Sequence, residues 1–164
     1  MTTAEQKANR DALRAYLRQY NNARQRRHDL DHRLREVMAE LNNPPVGGQH
    51  HGGQPRPKGR TASGAASVAY KIDAVEQRIK DQQSEMTRTI GAVLDLIDLL
   101  PEASPTRSIL ERRYIDGQRW SEITKAEHLT RSRCAEIETE AVDELLRHDK
   151  VLEAVRPYKE RNEK

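Results

Sequence analysis

The chain has no phenylalanine, one tryptophan and one cysteine among its 164 residues. With aromatics at 4% it lacks the material of a thick core, and a large enzyme fold around a buried sheet is excluded on that ground. The lone Cys134 leaves no disulfide framework and no cysteine-based zinc site, which fits a reducing compartment. No apolar run approaches the roughly 18 residues that a membrane span requires. The longest apolar patch, Val93–Leu100, is broken by Asp95 and Asp98. No apolar stretch near residue 1 reads as a signal peptide. Together these absences predict a soluble cytoplasmic protein made of thin helices, each burying one stripe.

What the chain does have is charge, at 34% of residues against 35% hydrophobic. The net charge of +3 is unevenly spread: residues 1–41 carry nine basic and six acidic side chains, residues 42–66 three and none, and residues 105–147 eight and nine. A balance of this size is compatible with nucleic-acid binding and does not establish it.

Residues 1–43 read as one long helix. Thr3 followed by Gln6 has the capping-box pattern of a helix start. Leu13, Tyr16, Tyr20, Ala23, Arg27, Leu30, Leu34, Val37 and Leu41 then recur at alternating spacings of 3 and 4, a heptad seam with Arg27 as its one charged member. Pro44-Pro45 stops it, because proline has no amide to donate and disfavours helix in its predecessor. Residues 44–66, dominated by glycine, proline and small polar side chains, read as a flexible loop. Residues 67–101 form a second long helix with the seam Val68, Ile72, Val75, Ile79, Gln82, Met86, Thr89, Val93, Ile97 and Leu100, ended by Pro101. The two seams cover each other as a coiled-coil hairpin or pair between chains. Both arrangements are thin and predict a homo-oligomer, a dimer first.

Residues 104–147 have a different texture. Ser104-Pro105 serves as N-cap and first helical position, and Asp116-Gly117 closes that helix. A short helix from Trp120 to about Glu127, a turn around His128-Leu129, and a Thr130-capped helix from Arg131 to Arg147 follow. Short helix, tight turn and longer helix make a helix-turn-helix, whose second helix enters the major groove. Its core residues are read as Tyr114, Trp120, Ile123, Leu129, Ile137 and Leu145. Residues 148–164, with Val151, Leu152, Val155 and Tyr158, read as a short helical or disordered tail limited by Pro157. The expected fold is all-α: a long two-helix hairpin, then a small trihelical unit.

The stretch Arg113-Tyr114-Ile115-Asp116-Gly117, then Trp120-Ser121-Glu122-Ile123-Thr124, then Leu129-Thr130-Arg131-Ser132-Arg133-Cys134-Ala135-Glu136-Ile137-Glu138 resembles region 4 of bacterial primary sigma factors, without a gap from Glu122 to Leu145. The wider layout of heptad helix, Gly/Pro-rich loop, second long helix and sigma-like unit is similar to phage-encoded late transcription regulators of the ArpU and RinA type. The resemblance implies a phage or prophage regulator acting in a bacterial cytoplasm on double-stranded DNA, with host RNA polymerase as a further partner. In sigma region 4 the positions matching Arg131, Ser132 and Glu136 read promoter bases. Here Ser132 stands where the pattern has Glu, and Glu136 where it has Gln, which implies a different sequence preference. Nothing in the chain resembles the sigma regions that melt DNA, so it does not read as a complete sigma factor.

Chemistry assigns the roles directly. Arg131, Ser132 and Arg133 lie in the first turn of the second helix, where Arg is the best bidentate partner for guanine O6 and N7, and Glu136 can accept from a cytosine amine. Thr130, Arg119, Lys125 and Arg147 are phosphate candidates. Glu138, Glu140, Asp143 and Glu144 oppose this reading by crowding the same helix with negative charge. Either they face away from the groove, or the first helix and Arg56, Lys58 and Arg60 supply phosphate contacts, or the unit binds protein. His28 and His32 lie four apart with no carboxylate or thiol set beside them by spacing, so no metal site is read, and no cofactor or catalytic grouping appears. Two rival functions remain: a DNA-packaging subunit similar to small terminases, and a polymerase-binding adaptor without DNA readout.

Overall fold

The computed structural model describes residues 3–42 and 60–162, and every regular element in them is a helix. In chain order these are α1 (Thr3–Leu17), α2 (Gln19–Asn42), α3 (Arg60–Ile97), α4 (Pro105–Leu110) with a π-helical turn at Glu111–Ile115, α5 (Trp120–Glu127), α6 (Arg131–Leu145) and α7 (Asp149–Asn162). The described residues form two units, Met1–Arg24 with Met86–Lys164, and Gln25–Glu85. No described helix is long and apolar enough to cross a membrane.

The first unit holds the main core. Ala12, Leu13 and Leu17 of α1 meet Val93, Leu96 and Ile97 of α3, Leu110 and Tyr114, Ala141, Val142 and Leu145 of α6, and Val151 and Val155 of α7. The one long helix expected over residues 1–43 is bent. The chain bends at Arg18, although the helical ladder runs through it, with the Arg18 amide donating to the Arg14 carbonyl at 3.1 Å and Asn22 to Arg18 at 3.0 Å.

Of the two readings of the tail the helical one agrees with the structure, but Pro157 does not limit it. Residues 149–162 are helix α7, which runs through Pro157. Val151 and Val155, four apart, face the core, while Pro157 is exposed and gives up only a solvent-side hydrogen bond. Tyr158, one further turn on, meets Tyr16 edge to face with ring centroids 5.5 Å apart.

A smaller core lies beneath α4, α5 and α6: Ile109, Ile123, Cys134 and Ile137, with Trp120 and Leu129 against it. Tyr114 and Leu145, expected in this group, belong instead to the main core.

The second unit, Gln25–Glu85, holds most of α2 and the first part of α3. Arg26 reaches Glu85 at 3.8 Å, and a cleft further along is lined by Arg33 and Val37 from α2 with Tyr70 and Val75 from α3. The loop expected at 44–66 lies outside the described residues up to 59, and from Arg60 the backbone is already helical. The Leu41 side chain, and Arg56, Lys58 and the Arg60 side chain, also lie outside what is described.

Gly117 occupies the left-handed region at φ 71°, where a Cβ would sit 3.3 Å from Asn21 Oδ1. Gly117→Ala is therefore expected to lower stability by about 1–2 kcal/mol. Gly91, exposed in α3 with open space around a Cβ, gives the opposite result: Gly91→Ala should raise stability by about 0.5–1 kcal/mol. Thermal unfolding of both variants checks the pair, and equal signs would contradict the backbone argument.

Candidate nucleic-acid interface

The sequence sets the frame of the C-terminal unit locally. Ser104 Oγ accepts the Arg107 amide at 3.2 Å and Pro105 takes the first helical position, so α4 starts where the capping pattern places it. The π turn after α4 carries one extra residue per turn, with the Asp116 amide donating to the Glu111 carbonyl at 3.0 Å. It delivers Tyr114 to the main core and leaves Arg113 over the Trp120 ring, 5.1 Å from its centroid. Glu122 accepts the Arg119 amide at 2.6 Å at the start of α5. The α5 end is closed by His128 in the left-handed region at φ 54°, and the Leu129 amide returns to the Thr124 carbonyl at 3.1 Å. Thr130 Oγ1 then accepts the Arg133 amide at 3.3 Å and starts α6. Ser108 and Arg112 both donate to Glu127 Oε1 at 2.6 Å, tying α5 to the helix before it. The Ser108 hydrogen bond, with Arg112 beside it, holds the Glu127 carboxyl below its ordinary value although burial opposes this.

The first two turns of α6 stand open. Arg131, Ser132, Arg133, Ala135 and Glu136 are all exposed, while Cys134 and Ile137 fix the opposite side in the small core. Arg133 donates to Glu136 Oε2 at 3.1 Å and to Glu140 Oε1 at 3.3 Å, and Ser132 Oγ lies 3.5 Å from Glu136 Oε1. The Glu136 hydrogen bond, with the Glu140 charge, raises the Arg133 guanidinium above its ordinary value. The structure thus brings Ser132, Arg133 and Glu136 into one network. Arg131 lies beside it with no hydrogen bond or ion pair described.

The second half of α6 is different. Glu138 is 5% exposed, and both its oxygens are taken. Arg14 Nε donates to Oε1 at 3.0 Å and Arg14 Nη2 to Oε2 at 2.7 Å, and the Tyr114 hydroxyl donates to Oε1 at 2.7 Å. Burial pushes the Glu138 carboxyl up, but the hydrogen bonds from Arg14 and Tyr114 and the Arg14 charge leave it below its ordinary value. Burial, reinforced by the Glu138 charge, drives the Tyr114 phenol well above its ordinary value. Asp143 is gripped by Arg10, with Nε and Nη2 each 2.6 Å from a carboxylate oxygen. Two of the four acids that opposed DNA contact are therefore neutralised by α1, and Glu138 is turned inward.

Sequence reading missed Arg10 and Arg14. They lie 133 and 124 residues from their partners, and no local spacing signals a pair at that separation. The phosphate candidates divide. Thr130 is exposed at the α6 start, Arg119 and Lys125 are exposed on or beside α5, and Arg147 is exposed beyond the far end of α6. At 1.5 Å per residue Arg147 lies roughly 24 Å from Arg131. It lines a cleft with Gln6, Asn9 and Asp143 instead. Among the described residues no three His, Cys, Asp or Glu side chains are grouped to hold a metal ion, and His28 and His32 meet only Asp29 and Glu36, at 3.8 and 3.5 Å.

Comparison with protein-family models, with curated proteins and with solved structures finds no match to the chain.

Proposed function

We propose that the chain is a sequence-specific regulator of transcription, of phage or prophage origin, whose helix α6 reads the major groove of double-stranded DNA. The reading rests on one observation above all: the two open turns of α6 carry Arg131, Ser132, Arg133 and Glu136 on a capped helix that follows a short helix and a tight turn. The long α2–α3 pair and this helix-turn-helix unit are the two halves of the proposed layout. Arg131 and Arg133 are the bidentate donors for guanine, and Glu136 accepts from a cytosine amine or holds Arg133 in position. Thr130, the free amides at the start of α6, Arg119 and Lys125 take backbone phosphates. Glu138 is buried against Arg14 and Asp143 is paired with Arg10, which takes two of the four opposing acids out of the electrostatic objection to this docking.

Selection from a random duplex library at near-physiological salt tests the reading. A discrete motif is expected, and Arg131→Ala with Arg133→Ala should weaken binding to it by about tenfold or more. Enrichment that the double variant shares would overturn the assignment of bases to α6.

A second reading is favoured by the salt-bridged state of Arg133. With Glu136 and Glu140 beside it, the open face is close to neutral, which suits a protein surface such as that of host RNA polymerase. Polymerase retention by the chain with no motif in the selection would support that adaptor function.

A further inference from the structure

We propose that Arg18 and Arg24, at the joint of α1 and α2, contact backbone phosphates of the duplex that α6 reads, so that the DNA interface extends beyond the helix-turn-helix unit. This contact rests on the reading of α6 as a major-groove helix and adds a sequence-independent anchor to it. Between Asp11 and Asp29 the chain carries five arginines and no acid. Arg10, Arg14, Arg18, Asn21 and Arg24 recur at spacings of four and three, a single polar stripe along α1 and the start of α2. Four of these side chains grip the unit that carries α6. Arg10 holds Asp143 and Arg14 holds Glu138, Asn21 Nδ2 donates to the Arg113 carbonyl at 3.2 Å, and Arg24 Nη1 donates to the Asp116 carbonyl at 3.3 Å. Arg18, in the middle of the stripe, is exposed and meets no hydrogen-bond or ion-pair partner among the described residues.

The two ion pairs before Arg18 set its level on α6. Arg10 meets Asp143 and Arg14 meets Glu138, so α1 and α6 run antiparallel, and the next turn of α1 brings Arg18 one turn nearer the open start of α6, toward Ala135. Ala135 is exposed and offers no acid. Burial raises the Glu138 carboxyl, while hydrogen bonds from Arg14 and Tyr114 lower it with help from the charges of Arg14 and Arg18, which places Arg18 within Coulomb range of that carboxylate. Both Glu138 oxygens are already taken by Arg14 and Tyr114. Arg24 lies against the Asp116–Gly117 turn, which leads to the exposed Arg119 at the start of α5. The acids of that flank are Asp116 and Glu122, and Glu122 is bound to the Arg119 amide. A carbonyl occupies one of the five N–H donors of Arg24, and its exposed guanidinium keeps the others. Two exposed guanidinium groups with no carboxylate bound to them, beside a helix that presents Arg131 and Arg133, suit phosphate oxygens, which a planar fork of donors matches.

Equilibrium binding of the full chain to a labelled duplex of mixed sequence, between about 50 and 200 mM salt, is the test, because each phosphate contact contributes about 0.9 to the slope of log affinity against log salt. Arg18→Gln with Arg24→Gln should lower that slope by about 2, and should weaken binding equally to the mixed duplex and to a motif selected by the native chain. Arg18→Gln alone, which removes no protein hydrogen bond, should account for about half of this and leave the Tm near the native one. Arg18→Lys should keep the slope, since an ammonium still reaches a phosphate as a point charge. Arg131→Ala with Arg133→Ala should instead erase the preference for the motif. A native chain that selects a motif while the Arg18/Arg24 double variant keeps the full slope would overturn the phosphate contact and leave the reading by α6 standing. A native chain that binds no duplex in a salt-dependent way would overturn both.

Discussion

Arg14→Met is expected to destabilise the chain by about 3 kcal/mol, because it leaves the Glu138 carboxylate inside the core with Tyr114 as its remaining partner. In a chain of this size that is a fall in Tm of about 6–12 °C. The cost comes from the uncompensated charge, so Arg14→Met combined with Glu138→Gln should lose less than Arg14→Met alone. Additive losses from the two substitutions would show that the bidentate contact contributes nothing. The pH dependence has a definite sign. The folded chain holds the Glu138 carboxyl below its unfolded value, so the contribution of the pair is present above the unfolded glutamate pKa of about 4.3 and is lost as pH falls through the folded value. Without Arg14, burial raises the Glu138 carboxyl, and the deficit of the variant should shrink as the pH falls to where Glu138 takes a proton. Urea unfolding of the native chain and Arg14→Met across pH 4–8 reads this directly; a deficit independent of pH would contradict it.

Ending the chain at His148 is expected to abolish cooperative unfolding of the unit that contains α6. The truncation removes Val151 and Val155, each worth about 1.5–3 kcal/mol of burial, and uncovers Leu13 and Leu17 on α1. The sum approaches the whole stability of an ordinary domain, about 5–15 kcal/mol. Near-ultraviolet circular dichroism and amide exchange are the measurements: Ala141, Val142 and Leu145 should lose protection although their own helix is intact in sequence. A truncated chain that melts sharply near the native Tm would mean that α7 is an accessory and that the main core closes without it.

Both expectations depend on contacts between the two ends of the chain, which sequence spacing does not carry. Periodicity reports the face a helix buries and not the partner that covers it. Leu13 and Tyr16 were legible as seam residues, yet they meet α7 and the end of α3 in one shared core. Val151, Leu152, Val155 and Tyr158 read as a short helical or disordered tail limited by Pro157, because a pattern of four residues is too brief to declare a helix essential. Capping was legible in full at Ser104 and Thr130, since both ends of each hydrogen bond lie within three residues. The exposed residues of the candidate site were legible for the same reason. Arg131, Ser132, Arg133 and Glu136 follow a cap and precede Cys134 and Ile137 at helical spacing, so their outward face is fixed by local geometry.

Composition, heptads and caps, all local properties, thus determined an all-helical chain, where most of its helices begin and end, and which residues of α6 face outward. Only the tertiary structure decided that Arg10 and Arg14 neutralise Asp143 and Glu138, that α7 completes the main core, and that none of the described apolar side chains of residues 25–85 is buried. The physical reason is range. Helix formation and capping act over three or four residues, whereas ion pairing and core closure act between whichever surfaces the fold brings together, at any separation along the chain.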